Sequence, residues 1–198
     1  MPIFLIILIA NISIVIFIIF ILGIFQQFVI KKYNTKEQEL TAKIKEINNS
    51  YKELISIKTE WNLKPQEILY YQSKSCSIYK ANEKENKKNQ INKSQNKIVN
   101  FSIYNLNGYL NLKSHNFSKN DVYEGIIYIT NKRIIISGAK FNTSIQIDSI
   151  NMINPSIFHI NGEYHIGFVI FTENNIYKGI SQDLKISKII HLLLKVKG

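Results

Sequence analysis

"GIIYITNKRIIISG", Gly125 to Gly138, is the stretch on which the fold of the larger part of this chain turns. Two isoleucine-rich runs flank Thr130-Asn131-Lys132-Arg133. Short continuous apolar runs of β-branched residues between polar ones suit strands buried on both faces. Asn131-Lys132 then makes a two-residue hairpin turn, since Asn tolerates positive φ at the first turn position. Thr130 and Arg133 face each other across that hairpin. Arg133 is the only arginine among 198 residues. Its long stem suits covering apolar surface, with its head bonded to backbone or to an acid such as Asp148. The alternative is a grip on an anionic ligand.

Outward from the hairpin, the pattern continues as short apolar or alternating runs. Strands are expected near Glu67–Gln72, Cys76–Lys80, Val99–Tyr104, Tyr109–Lys113, Gly125–Thr130, Arg133–Ser137, Ser144–Ile147, Ile157–Ile160, Ile166–Phe171 and Ile176–Ile180. Asn107-Gly108, Gly138, Asn161-Gly162 and Asn174-Asn175 are the turn signals between them. The last element reads as a helix. Ser181 suits an N-cap, Asp183 sits in the first turn, and Ile186, Ile189, Ile190 and Leu193 follow at helical spacing. Lys195 and Lys197 lie near its end.

Many antiparallel strands closed by one amphipathic helix make an α+β domain, a small β-barrel capped by its carboxyl-terminal helix. This order, with "EGIIYITNKRIIISG" (Glu124–Gly138), "SIQIDSINMI" (Ser144–Ile153) and the lead-in "PQEILYYQSKSCSIY" (Pro65–Tyr79), resembles the GRAM-type and bacterial pleckstrin-homology-like family. The resemblance covers roughly residues 64–197. It implies a binding module for protein or lipid ligands, without catalysis. In relatives of that kind the loop joining the first two strands often carries cations that meet inositol phosphates. Here that place falls to "ANEKENKKNQINKSQNK", Ala81 to Lys97, with five lysines against two glutamates, a charge of +3. It is too polar to bury a core, and a solvated loop is its simplest description. The candidate anion-binding residues are accordingly Lys80, Lys84, Lys87, Lys88, Lys132 and Arg133, with anionic headgroups as their ligand. The loop's lack of arginine removes any bidentate clamp there.

The amino-terminal run "IFLIILIANISIVIFIIFILGIF", Ile3 to Phe25, carries no charge, and Asn11 and Ser13 are its only polar side chains. As a helix it is about 35 Å long, enough to cross a hydrocarbon core of about 30 Å. A cleaved signal peptide needs a basic leader, a shorter apolar core and a small-residue cleavage site, and none is present. Residues 1–32 therefore read as a retained transmembrane anchor. Lys31, Lys32 and Lys36 follow it, which places the carboxyl-terminal side in the cytoplasm. Residues 33–63 read as a helical stalk without Gly or Pro up to Trp61. Tyr33, Glu37, Leu40, Ile44, Ile47, Tyr51, Leu54, Lys58 and Trp61 recur at 4-3 spacing, the seam of a coiled coil or of a helix lying against something. A parallel homodimer through the stalk is one arrangement. Packing back on the domain is the other. Pro65 ends the segment.

The net charge is +11, from 24 lysines and one arginine against 14 acids. That balance invites a nucleic-acid-binding membrane tether as an alternative. The lysines are spread along the chain, however, and accompany abundant Asn and Ile, as A/T-rich codons would give. An accessory subunit of a membrane complex is a further alternative, in which Asn11 would contact a partner helix. Cys76 is the only cysteine, so no disulfide closes within one chain, and it reads as a small core residue. His159 and His165 flank Asn161-Gly162 but lack a third ligand at metal spacing. No phosphate loop, nucleophile elbow or zinc-protease motif is present. The expectation is a non-catalytic, membrane-anchored module without cofactor or metal, whose partners are the membrane, an anionic lipid or a membrane-proximal protein.

Overall fold

A computed structural model of the chain describes residues 3–59, 62–73, 76–80, 122–138, 142–160 and 163–196. The chain is α+β. Among the described residues one helix, α1 (Ile3–Ser50), precedes eight strands: β1 (Leu69–Gln72), β2 (Cys76–Lys80), β3 (Val122–Thr130), β4 (Arg133–Ser137), β5 (Asn142–Gln146), β6 (Ile150–Ile160), β7 (Glu163–Thr172) and β8 (Ile176–Ile180). A final helix, α2 (Lys185–Val196), follows them.

Among the described residues every strand pairing is antiparallel, in the order β5-β4-β3-β2-β8-β7-β6. β1 pairs with the carboxyl-terminal end of β3 (Leu69 opposite Thr130), and β2 with its other end (Cys76 opposite Gly125). β1 and β2 thus act as two halves of one interrupted strand along β3. Among the described residues the ladder is open, with β5 and β6 as its edges, where the sequence predicted a closed barrel. A 3-10 turn, Ile147–Ser149, joins those edges and carries Asp148, which the sequence placed at the end of a strand. β6 begins well before the predicted Ile157 and contains Pro155; an edge strand tolerates Pro because its outer N–H groups need no ladder partner. Val99–Tyr104, Tyr109–Lys113, the 81–97 insertion and the turns at 107–108 and 161–162 lie outside the described residues.

One face of the sheet meets α2. Ile186, Ile189, Ile190 and Leu193 pack with Ile78, Ile127, Ile129, Ile134, Ile136, Phe168 and Ile170, all buried. Each such side chain contributes about 1.5–3 kcal/mol by leaving water. The start of α2 differs in detail from the expected Ser181 cap. The Lys185 N–H donates to Asp183 Oδ1 (3.0 Å), while Ser181 Oγ accepts from the Asp183 N–H (3.1 Å). Asp183 Oδ2 also accepts from the Tyr71 hydroxyl at 2.7 Å, tying α2 to β1.

α1 has two unlike parts. The large apolar side chains from Ile3 to Phe28 are exposed, and an 18-residue window of the helix has a mean hydropathy of 3.3 with none of it buried. That run is long and apolar enough to cross a membrane. Its polar side chains turn inward on the helix itself: Asn11 Nδ2 donates to the Ile7 carbonyl and Ser13 Oγ to the Ile9 carbonyl, both at 2.9 Å. Beyond Phe28 one stripe becomes buried at Tyr33, Leu40 and Ile44. These are seam residues, and their partner is the chain's own sheet. Leu40 and Ile44 pack with Ile166 of β7 and with Leu184, and the Tyr33 ring meets Tyr164 edge-on at 5.7 Å. Lys188 Nζ donates to Asn48 Oδ1 at 2.6 Å across the α1–α2 contact. The stalk is therefore shorter than predicted and docked. α1 ends at Ser50, not near Trp61, and in the extended stretch that follows the Ile57 N–H donates to the Leu69 carbonyl at 2.8 Å. The seam carries no support for a coiled coil, since the domain occupies the face a second helix would need.

Candidate functional site

The hairpin tip Thr130–Arg133 sits against the segment 64–68 that leads into β1. Lys64 to Glu67 forms a turn in which Gln66 adopts φ 61°, the left-handed region that costs a residue with a Cβ. The tip holds that turn with every one of its four residues. Thr130 Oγ1 donates to Glu67 Oε1 at 2.8 Å. Asn131 accepts from the Ile68 N–H through Oδ1 (2.9 Å) and donates through Nδ2 to the Gln66 carbonyl (3.1 Å). Lys132 Nζ reaches the Pro65 carbonyl at 3.1 Å. Arg133 closes the clasp as a fork, Nε to Glu67 Oε1 at 2.9 Å and Nη2 to Glu67 Oε2 at 3.0 Å.

The Glu67 side chain is wholly enclosed, and the Lys64 N–H gives it one more hydrogen bond at 3.1 Å. The Arg133 guanidinium, the Thr130 hydroxyl and that N–H together hold its carboxyl at about 2, against an ordinary 4.5. The paired carboxylate in turn raises the Arg133 pKa. A buried bidentate pair of this geometry is spent on itself. Arg133 therefore serves as a structural clasp, and the acid is Glu67, not Asp148. Lys132 has its ammonium on a backbone carbonyl of the same clasp. Of the other candidate cations, Lys80 lies half-buried on β2 beside β8, away from the tip. Lys84, Lys87 and Lys88 lie outside the described residues.

His159 and His165 do not make a metal pair. Cross-strand partners share a sheet face, and His159 pairs with Tyr164, so His165, one residue on, lies on the opposite face. Among the described residues no group of three or more His, Cys, Asp or Glu side chains converges. Cys76 is buried, as expected of a core residue, and desolvation pushes its thiol up to about 12. His191 is buried on α2, and desolvation, with Lys195 and Lys188 nearby, lowers it to about 4.

A cleft of about 730 Å³ lies where α1 leaves its exposed apolar run. Lys32, Thr35 and Lys36 form one wall; the start of β7 (163–166) and the turn after β8 (180–182) form the other. Sequence reasoning did not find it, because its walls come from opposite ends of the chain. The one local signal was Lys32 and Lys36, read only as topology markers. Tyr164 lines the cleft at 8% exposure, and its hydroxyl is buried with no hydrogen-bond partner. Its ring lies between Tyr33 and His159, at centroid separations of 5.7 and 5.0 Å.

Comparison of this chain with protein-family models, with curated proteins and with solved structures gave no match.

Proposed function

We propose that this chain is a single-pass, membrane-anchored, non-catalytic binding module. Its sheet domain faces the cytoplasm and sits against the membrane-proximal turns of its own anchor. One observation carries the reading: α1 runs unbroken for 48 residues, apolar and exposed over its first part and buried in the domain at Tyr33, Leu40 and Ile44. A helix with that division has one end suited to lipid and the other suited to the fold. Lys31, Lys32 and Lys36 beyond the apolar run support the cytoplasmic side. The strand order, the isoleucine hairpin and the closing helix support kinship with pleckstrin-homology-like domains, with the sheet as the scaffold that presents a ligand surface. Under this reading the basic balance serves membrane proximity and not nucleic acid, because Arg133 and Lys132 are held inside the clasp.

The test is alkaline extraction followed by protease access. The account expects the protein to stay with the membrane pellet at alkaline pH, and the domain to be cleaved only when the cytoplasmic face is open to protease. Release by alkali would end the anchor reading, and cleavage from the outer face would end the orientation.

A further inference from the structure

We propose that the cleft between α1 and the start of β7 binds the phosphodiester of a monoanionic phospholipid headgroup, of the phosphatidylglycerol kind. The proposal rests on the reading of α1 as a membrane anchor and adds a ligand to it.

Position is the first argument. The exposed apolar run of α1 ends at Phe28, and the lysine wall of the cleft begins at Lys32. Four residues of helix rise about 6 Å. The headgroup layer is itself roughly 5–7 Å deep on each side of the hydrocarbon core. The cleft therefore opens at the level where lipid phosphates lie, and the ligand's source is the bilayer itself.

Charge is the second. Lys32 and Lys36 are four apart on α1, hence on one face. Lys32 Nζ lies 4.6 Å above the Phe28 ring, at the apolar boundary. Lys36 Nζ bonds Glu39 at 2.8 Å, but Glu39 also holds Lys43 at 2.9 Å. Lys36 can thus swing to a phosphate without leaving Glu39 unpaired. Glu163 on the opposite wall offsets one of the two cations. One net positive charge matches one phosphodiester and disfavours headgroups carrying several phosphates.

Tyr164 adds a hydrogen-bond donor. A buried hydroxyl without a partner is costly, and few are left so in folded chains. Tyr164 lines this cleft, and a modest turn of its ring would bring the hydroxyl, closed off in the structure, to a phosphate oxygen. Ile166 and Ile180 add apolar lining suited to the first methylenes of the acyl chains.

The experiment uses the full chain in nanodiscs of phosphatidylglycerol and phosphatidylcholine in equal amounts, with retained lipid read by native mass spectrometry after transfer to detergent. Wild type should retain phosphatidylglycerol in preference to phosphatidylcholine. Lys32→Gln with Lys36→Gln should weaken that retention roughly thirtyfold. Tyr164→Phe, which keeps the ring packing, should weaken it about fivefold. Lys45→Gln, an equal charge change at an exposed α1 position away from the cleft, should leave it unchanged. Inorganic phosphate should not displace the lipid; displacement would mean a free-phosphate site and overturn the lipid assignment. Equal retention of the two lipids, or equal losses in the Lys45 and Lys32/Lys36 variants, would overturn the proposal while leaving the anchor intact. A chain that fails to enter nanodiscs at all would overturn the anchor reading and the proposal with it.

Discussion

Replacing Arg133 by Met removes the guanidinium but keeps a stem that can cover the same apolar surface. Glu67 is then left enclosed with only the Thr130 hydroxyl and the Lys64 N–H. The carboxyl sits at about 2 in the folded chain against an ordinary 4.5, a difference of about 2.5. At 1.36 kcal/mol for each unit this is about 3 kcal/mol of stability. A depressed carboxylate stabilises the fold fully above its unfolded value, so the contribution is complete above about pH 4.5 and fades as pH falls toward 2. Most of it depends on Arg133, the largest of the influences on Glu67. Arg133→Met should therefore cost about 3 kcal/mol at neutral pH, a large share of the 5–15 kcal/mol typical of a domain. The penalty should shrink in acid. Adding Glu67→Gln should recover all but about 1 kcal/mol, because a neutral amide tolerates enclosure better than a lone carboxylate. Urea unfolding of the full chain in detergent, followed by far-ultraviolet circular dichroism, reads Arg133→Met, Glu67→Gln and the double variant across pH. A loss below about 1 kcal/mol for Arg133→Met, or an unchanged acid limb in Glu67→Gln, would refute the clasp.

Other outcomes follow from the same packing. Leu40→Ala removes a side chain with no exposed surface from the α1–β7 contact and should cost about 2–5 kcal/mol, seen as faster trypsin cleavage at Lys43 and Lys45. Gly179 sits opposite Phe168, and a Cβ there would fall 2.1 Å from the ring, so Gly179→Ala should lower the melting point by at least the equivalent of 1–3 kcal/mol. Adding Phe168→Leu to that variant should restore part of the loss. His191 is lowered to about 4, so the folded chain resists its protonation, and stability should fall as pH drops from 6.5 toward 4. His191→Leu should flatten that limb and leave the Glu67 limb below it. Cys76, pushed up to about 12 and buried, should react with a thiol reagent at pH 8 only after urea unfolds the chain.

The hairpin, the closing helix and the helix long and apolar enough to cross a membrane were legible because each is a local pattern: apolar runs around Asn131-Lys132, helical spacing after Ser181, and an uncharged stretch of sufficient length. What stayed hidden was non-local. The Tyr33–Trp61 periodicity marks a buried face at Tyr33, Leu40 and Ile44, but a second copy and the chain's own β7 demand the same spacing. The partner of Arg133 lies 66 residues earlier, and only the pairing of β1 with β3 brings Glu67 to it. Asp148 was nearer in sequence, yet it lies in the 3-10 turn between β5 and β6. The end of α1 was missed for a similar reason. No Gly or Pro stops the helix before Pro65, so local propensity allows it to continue, and contacts such as that of Ile57 with Leu69 override it. The cleft needs α1, β7 and the turn after β8 at once, and no sequence window contains all three.

The proposal that α1 anchors the chain while docked on its own domain is tested most directly by the height of the domain above the bilayer. A fluorophore on Gln182→Cys, an exposed position in the turn after β8, stays the single label because Cys76 is buried. Energy transfer to acceptor-labelled lipid in nanodiscs then reports its distance from the membrane surface. With Gln182 lining the cleft beside Lys32 and Lys36, a height within about 15 Å is expected. A height of about 40 Å, that of a free helical stalk with the domain at its tip, would contradict the account.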